Sequence, residues 1–150
     1  MAAAIAQSAG DPMKKVSEVM TTDVRLGRPD QTIREVAVLM MEADIGSLPI
    51  EDHDRLVGMV TDRDIVLRAV ALGLGAETLV REVMSEDVKY CFDDESVAAV
   101  ADNMAKLGLR RLPVIDRNKR LVGIVALSNI AQSGNETATE SLLKGVAQPH

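Results

Sequence analysis

The chain has 150 residues, of which 47% are hydrophobic and 27% charged, an ordinary composition for a globular protein of one domain or two small ones. The formal net charge is −6, and the 17 basic residues are scattered without any run of Lys or Arg, which argues against a nucleic-acid partner. Aromatic residues make up only 1% of the chain, so a platform for stacking nucleobases is nearly excluded.

Cysteine content and hydropathy indicate the compartment. Cys91 is the only cysteine, which rules out an internal disulfide and is typical of a reducing environment. The Ala-rich start lacks the basic region of a secretory signal, and no apolar run reaches the roughly 20 residues that a membrane span needs. We therefore expect a cytoplasmic protein with no membrane partner.

An internal repeat runs through most of the chain. The sequence VSEVM at residues 16–20 returns as VREVM at residues 80–84. After one inserted residue, RLVG at residues 55–58 returns as RLVG at residues 120–123. Similarity at one spacing is the signature of a duplicated structural unit.

The repeat sets the predicted domain limits. We expect two repeats joined by a short linker, with aperiodic tails that we predict to be flexible. The limits are a tail at 1–14, a first repeat at 15–73, a linker at 74–79, a second repeat at 80–132 and a tail at 133–150.

Each repeat is predicted to fold as β-α-β-β-α. In the first repeat, Thr32 and Glu35 form a capping box before a helix at 32–43, whose apolar residues recur at helical spacing at positions 33, 36, 37 and 40. We place its strands at 24–26, 47–51 and 56–61, and its second helix from Asp62 to Gly73 or Gly75.

The second repeat gives the same order. Its apolar helix stripe lies at positions 97, 100, 101 and 104, its strands lie near 88–91, 111–115 and 121–126, and a short helix begins at Leu127. One repeat alone would leave an apolar sheet face open. We therefore predict an α/β (α+β) fold in which two repeats pack sheet to sheet, with clefts between them as ligand sites.

The order of motifs resembles the CBS domain. The motifs are GSLPI at 46–50 and LVGMVTDRDI at 56–65 in the first repeat, and LRRLPVID at 109–116 and GIV at 123–125 in the second. The resemblance covers about residues 15–132 and identifies a tandem CBS pair, or Bateman module. It implies a regulatory adenine nucleotide rather than a catalytic cofactor: AMP, ADP, ATP, NAD(H) or S-adenosylmethionine. Stand-alone pairs of this kind resemble small bacterial stress- or energy-sensing proteins that form homodimers.

The resemblance assigns ribose and phosphate binding to a Gly-x-x-Thr-x-x-Asp motif, here Gly58, Thr61 and Asp64. Thr61 lies where a strand meets a helix, among backbone N–H groups suited to an anion, and Asp64 offers two acceptor oxygens for ribose hydroxyls. Arg63 is placed to meet a phosphate. A capping box explains Thr61-x-x-Asp64 equally well, and both roles can coexist.

The second repeat departs from this motif, because Ala126 replaces the hydroxyl residue and Asn129 replaces the aspartate. We therefore expect its site to be the weaker one. Arg110 and Arg111 resemble a basic pair that contacts ligand phosphates in the family. A solvated strand entry is the alternative interpretation of the two arginines.

The remaining expected nucleotide-binding residues are apolar or small. Leu48 and the prolines that follow each repeat's leucine are predicted to form the walls of an adenine pocket, although a proline beside a strand also simply limits pairing. The set is Val24, Ser47, Leu48, Pro49, Val88 and Pro113.

Three functional interpretations follow. The first is a non-catalytic module in which nucleotide binding shifts a conformation that an effector protein of unknown identity detects. The second is a ligand-free assembly domain, and the third is a redox or metal sensor built on Cys91. We expect no metal site and no enzymatic activity, because His53, His150 and Cys91 lack ligand spacing and no residue pair activates a nucleophile.

The first helices of the two repeats differ on their outer faces. Val38, Leu39 and Met41 in the first repeat correspond to a polar pair and an alanine in the second, at positions 102, 103 and 105. A helix that is apolar nearly all round is usually buried on more than one side. We therefore predict a homodimer through the helix at 32–43, unless a tail or the linker covers that face.

Overall fold

A computed structural model describes residues 14–134, 139–140 and 143–145. In the first repeat, helix α1 is Ile33–Ala43, strand β1 is Ser47–Asp52, strand β2 is Arg55–Thr61 and helix α2 is Asp62–Arg68, followed by a 3-10 turn at Val70–Leu72. In the second repeat, β3 is Cys91–Phe92, α3 is Val97–Leu107, β4 is Arg111–Ile115, β5 is Leu121–Ala126 and α4 is Leu127–Gln132. Further 3-10 turns at Val16–Glu18 and Val80–Glu82 lie at the start of the two repeats, and the predicted mixed α+β class is confirmed.

The two long helices begin at side-chain caps. The Thr32 hydroxyl accepts the N–H of Glu35 at 3.2 Å before α1, and Ser96 accepts the N–H of Ala99 at 3.1 Å before α3. The predicted core stripes hold with one exception, since Ala37 is exposed while its counterpart Ala101 is fully buried. No helix within the described part of the chain has the length and apolar character to span a membrane.

Each repeat contains a small sheet. Strands β1 and β2 pair antiparallel through a two-residue turn, in which His53 and Asp54 have φ of 53° and 66°, the left-handed values of a type I′ hairpin. Strands β3, β4 and β5 form a three-stranded sheet in that order, with β3 parallel to β4. The predicted hairpins are therefore present.

The predicted first strands are wrong in extent. Residues 24–26 form no strand, and Gly27 alone makes a parallel bridge to Ile50. Pro29 has no N–H to continue the ladder after Gly27, and Pro49 on the partner strand has none to donate towards residue 25, which accounts for the single bridge. In the second repeat the strand is Cys91–Phe92 rather than 88–91.

The described residues form two compact units. Each unit combines most of one repeat with the segment that begins the other repeat, so the two repeats exchange their leading segments. The β1–β2 unit contains residues 25–88 and 119–121, and the β3–β5 unit contains residues 14–24, 89–118, 122–134, 139–140 and 143–145. Val16 is fully buried in the core of the β3–β5 unit, where its N–H donates to the carbonyl of Glu95 at 2.9 Å. Val80 is fully buried in the β1–β2 unit and donates to the carbonyl of Gln31 at 2.8 Å. The segment at the start of each repeat therefore completes the core that is built mainly from the other repeat.

Part of the predicted C-terminal tail is helical. Residues 139–140 and 143–145 have helical backbone, and Gly145 is buried against Ala105 of α3. The rest of that predicted tail beyond Gly134, and residues 1–13 of the N-terminal one, lie outside the described residues.

Two glycines allow the exchanged segments to approach the sheets. A Cβ at Gly123 would lie 2.8 Å from the carbonyl oxygen of Thr21, and a Cβ at Gly58 would lie 3.0 Å from that of Ser85. Backbone pairing holds both contacts, since Thr21 bridges Ile124 and Ser85 bridges Met59 in antiparallel fashion. The glycine of the repeated Leu-Val-Gly sequence is therefore required by close packing.

We expect Gly123→Ala to lower the free energy of unfolding by about 1–3 kcal/mol, because the methyl group must displace the backbone carbonyl of Thr21 as well as the side chain of Met20. Chemical denaturation with a circular dichroism readout measures this. Gly75→Ala is the matched control, since a Cβ there meets nothing within 4 Å. Equal stability of the two variants would contradict the packing role of Gly123.

Candidate functional site

The β1–β2 unit places Thr61 and Asp64 together at the start of α2. The Thr61 hydroxyl accepts the N–H of Asp64 at 3.0 Å, and Asp64 Oδ2 accepts the N–H of Thr61 at 2.9 Å. This is the capping box that the spacing predicted, with both members half-buried. The pair is consequently rigid before any ligand arrives.

Arg68 holds the other side of the Asp64 carboxylate. Its Nε lies 3.9 Å from Asp64 Oδ1, and its Nη1 donates to the carbonyls of Val83 and Met84 at 3.2 and 3.3 Å. The distance to Oδ1 exceeds that of a hydrogen bond, and a carboxylate oxygen accepts more than one donor. Asp64, whose side chain is 19% exposed, therefore retains an oxygen for a ligand hydroxyl.

The start of β1 lies beside this pair. Ser47 is the register partner of Thr61, and the carbonyl of Gly46 accepts the N–H of Asp62 at 3.0 Å. Arg63 is exposed one residue before Asp64. The structure thus brings Ser47, Thr61 and Asp64 to one end of the hairpin.

Other predicted residues of the β1–β2 unit have different surroundings. Leu48 is fully buried in the core, so packing accounts for it and it offers no surface to a ligand. Pro49 is buried in β1, opposite Met59. Val88 is half-buried in irregular backbone.

The β3–β5 unit has the equivalent connection at the start of α4. The carbonyl of Arg110 accepts the N–H of Leu127 at 3.0 Å, as Gly46 does for Asp62. Ala126 provides no side-chain cap, whereas Asn129 Oδ1 accepts the N–H of Ala126 at 2.7 Å. Asn129 Nδ2 in turn donates to the hydroxyl of Thr21 at 3.3 Å. Only the hydrogen bond from the Ala126 N–H to the side chain at position 129 remains of the capping box. Thr21 was not among the predicted site residues.

The basic pair of the β3–β5 unit faces solvent. Arg110 and Arg111 are both exposed, just before and at the first residue of β4. Pro113 is buried in the same strand, and Val24 is half-buried in irregular backbone. The two arginines therefore have the accessibility that a phosphate contact requires.

A polar pocket lies at the other end of the β1–β2 hairpin from Thr61. Its volume is about 520 Å³, and its lining is Arg28, Pro29, Asp30, Glu51, Asp52, His53, Asp54 and Arg81. Within it, Arg28 pairs with Asp30 at 3.2 Å, and this hydrogen bond lowers the pKa of Asp30. The turn residues 52–54 are visible in the sequence as a polar cluster, but Arg81 reaches the pocket only through the exchanged segment.

The corresponding place in the β3–β5 unit carries an aromatic cluster. Phe92 stands at the repeat position of Arg28, and Arg117 lies in the turn that corresponds to the turn at residues 52–54. The Arg117 guanidinium lies 3.9 Å from the Phe92 ring centre and also donates twice to Asp94 at 2.8 Å. The two repeats have thus diverged at this end.

Cys91 is unsuited to redox or metal chemistry as it stands. It is 3% exposed, and burial, together with the carboxylates of Glu95 and Asp93, raises the pKa of its thiol to about 12. A thiol in apolar surroundings is inert because the thiolate is the reactive form. Across residues 14–134 and the described part of the C-terminal segment, no group of three or more His, Cys, Asp and Glu could hold a metal ion.

Comparisons with known proteins cover both repeats. The family model of the CBS domain matches residues 16–70 and again residues 80–135. The CBS domain-containing protein YhcV of Bacillus subtilis is 42% identical over 132 residues, 87% of this chain and 94% of that protein. Hypoxic response protein 1 of Mycobacterium tuberculosis is 37% identical over 139 residues, 91% of this chain and 96% of that protein.

Solved structures also match the chain over most of its length. Hypoxic Response Protein I with two coordinated zinc ions matches with a TM-score of 0.71 and 37% identity, over 79% of this chain and 98% of that one. The CBS domain pair of protein MJ0100, in complex with 5′-methylthioadenosine and S-adenosyl-L-methionine, matches with a TM-score of 0.68 and 30% identity. That match covers 81% of this chain and 95% of the other. The predicted tandem CBS pair is confirmed.

We expect Cys91 to resist thiol reagents at pH 8 in the folded protein and to react once urea unfolds it. Because the folded pKa is raised from 9.0 to about 12, the protonated thiol contributes stability below pH 9, and this contribution is lost as the pH rises towards 12. Colourimetric thiol titration and urea unfolding at pH 8 and 10 measure both effects. A smaller loss of stability at pH 10 in Cys91→Ala is expected, and fast labelling of the folded protein would contradict the assignment.

Proposed function

Because the chain belongs to the CBS domain family, with two copies in tandem, we propose that it is a non-catalytic regulatory module that binds an adenosine-containing nucleotide. The pair formed by Thr61 and Asp64 is the single observation that carries this proposal. It presents a hydroxyl and a partly exposed carboxylate on a rigid turn, next to Ser47. Carboxylate oxygens suit the paired hydroxyls of a ribose.

The class of ligand is supported by a relative. The MJ0100 pair, 30% identical, is described in complex with two adenosine derivatives. For this chain we propose AMP, ADP, ATP, NAD(H) or S-adenosylmethionine, acting as a regulatory ligand. Arg63, Arg110 and Arg111 are exposed and supply positive charge for phosphate oxygens.

The proposed output is a change in conformation or assembly that an effector protein detects in the cytoplasm. A nucleotide does this only if its affinity differs between the two states of the protein. The match to Hypoxic response protein 1 is in keeping with a role in stress or energy sensing.

An assembly domain without ligand is the second candidate. The observation in its favour is that Thr61 and Asp64 already satisfy each other and the start of α2. A thermal-shift panel of AMP, ADP, ATP, NADH and S-adenosylmethionine separates the two functions. A ligand at 100 times its dissociation constant adds about 2.7 kcal/mol of stability. No shift with any of them would favour the assembly domain.

We expect Asp64→Asn to weaken the nucleotide that the panel identifies by about 10- to 100-fold at this site. A hydrogen bond to a charged acceptor contributes about 1.5–3 kcal/mol, and the amide removes the charge while keeping an oxygen for the cap, as Asn129 does. Isothermal titration calorimetry measures the change. Asp62→Asn, an exposed neighbour on α2, is the matched control, and an unchanged affinity in Asp64→Asn would refute the role of the carboxylate.

A homodimer is the second part of the proposal. Of the ten exposed large apolar side chains among the described residues, six lie in the first repeat: Val38 and Met41 on α1, and four on α2 and the 3-10 turn that follows it. Residues 102 and 103 of α3 are polar where α1 has Val38 and Leu39. Exposed apolar side chains concentrated on one repeat are typical of an interaction surface. The proposal places α1 against a second copy of the chain.

We expect Val38→Asp combined with Leu39→Asn to convert the dimer to a monomer. The double change copies the residues of α3 and removes apolar surface from α1. Because Leu39 also packs against the core of the β1–β2 unit, circular dichroism of the variant is the check that its fold is kept. Light scattering coupled to size exclusion gives the mass, and Arg34→Asn with Glu35→Gln on the polar side of α1 is the control. A dimer of undiminished stability would place the interface elsewhere.

A further inference from the structure

Helices α1 and α3 hold equivalent places in the two repeats, yet one position on them has opposite surroundings. Residue 41 of α1 corresponds to residue 105 of α3, at the same spacing that separates residues 16 and 80. Met41 is 73% exposed, whereas Ala105 is half-buried and packs beside the core of its unit. The two helices therefore differ in what lies over them as well as in the residue they carry.

The C-terminal segment lies over α3. Residues 143–145 have helical backbone and belong to the same compact unit as α3. Gly145 is buried, and a Cβ at this position would overlap the carbonyl oxygen, the Cα and the Cβ of Ala105. Because the two backbones meet at this point, a larger side chain at either position would force the segment away from the helix.

This contact gives a physical reason for the alanine of α3. A methionine at position 105, as α1 has at position 41, would extend into the space that Gly145 occupies. In the same way, a second copy of the chain cannot reach α3 at Ala105 while Gly145 lies there. The equivalent position of α1 has no such cover, since Met41 is exposed.

We propose that residues 143–145 form an intramolecular cover that keeps α3 out of the dimer, so that assembly proceeds only through α1. This inference rests on the homodimer part of the proposed function and adds the reason why one repeat is used and the other is not. Without the cover, the chain would offer two equivalent helices to a second copy. Pairing of α1 with α3 is a heterologous contact that does not have to close, whereas pairing of α1 with itself stops at a dimer.

Two variants of the full chain are designed to displace the cover. Ala105→Met gives α3 the residue of α1, and Gly145→Val leaves α3 unchanged while it forces the segment away. In both variants we expect trypsin to cleave after the exposed Lys144 about 10-fold faster, because the adjoining bond is no longer held against α3. Mass spectrometry identifies the cleaved bond, and Ala99→Met, at an exposed position elsewhere on α3, is the matched control.

Light scattering coupled to size exclusion gives the second readout. At the same concentration, both variants are expected to form assemblies of larger mass than the unmodified dimer, because α3 becomes available. Faster cleavage without a change in mass would overturn the inference and leave the dimer through α1 intact. Unchanged cleavage in both variants would also overturn it, since α3 would then not hold the segment. A monomeric unmodified chain would overturn the α1 dimer on which the inference rests.

Discussion

The close approach of backbone to backbone at Gly58 and Gly123 is the constraint on which the rest of the structure depends. At each glycine a segment from outside the repeat's own hairpin lies where a side chain would otherwise stand. This contact fixes the position of the exchanged segment, whose valine is buried in the core of the same unit. The valine is Val16 in the β3–β5 unit and Val80 in the β1–β2 unit. It also brings Thr21 to Asn129, and brings the carbonyls of Val83 and Met84 to Arg68. The glycine contacts therefore determine both the packing of the two cores and the positions of side chains at the candidate sites.

The two repeats keep one backbone plan and differ in their side chains. The carbonyl just before β1 accepts the first N–H of α2 at 3.0 Å, and the carbonyl just before β4 accepts the first N–H of α4 at the same distance. Around that common bond, the first repeat has a carboxylate and exposed apolar side chains, whereas the second has an amide and polar ones. Duplication preserved the scaffold while each copy changed its surface.

Short sequence patterns correctly predicted the elements that depend on neighbouring residues. The strands at 111–115 and 121–126, the caps at Thr32 and Thr61 and the polar hairpin turn follow from alternation, spacing and turn residues, and the structure contains them. The exchange of segments was beyond prediction from one sequence, because Val16 and Val80 are so alike that neither pattern tells which core each one fills. For the same reason the sequence did not predict that Thr21 contacts Asn129 or that Arg81 lines the polar pocket, because these contacts join residues that are distant in sequence. Burial of Leu48 and exposure of Ala37 depend on tertiary packing, which periodicity does not resolve.

The exchanged segments bear on how such a protein could arise from a single repeat. A lone copy carries a leading segment whose valine fits another copy's core, and its own core lacks that valine. Two separate copies would complete each other's cores by exchanging these segments. Joining the copies end to end makes the exchange intramolecular. The fused chain then no longer depends on concentration to complete its cores, and each half becomes free to accumulate changes that the other supports. The exchange thus makes the cores of both units depend on one continuous polypeptide.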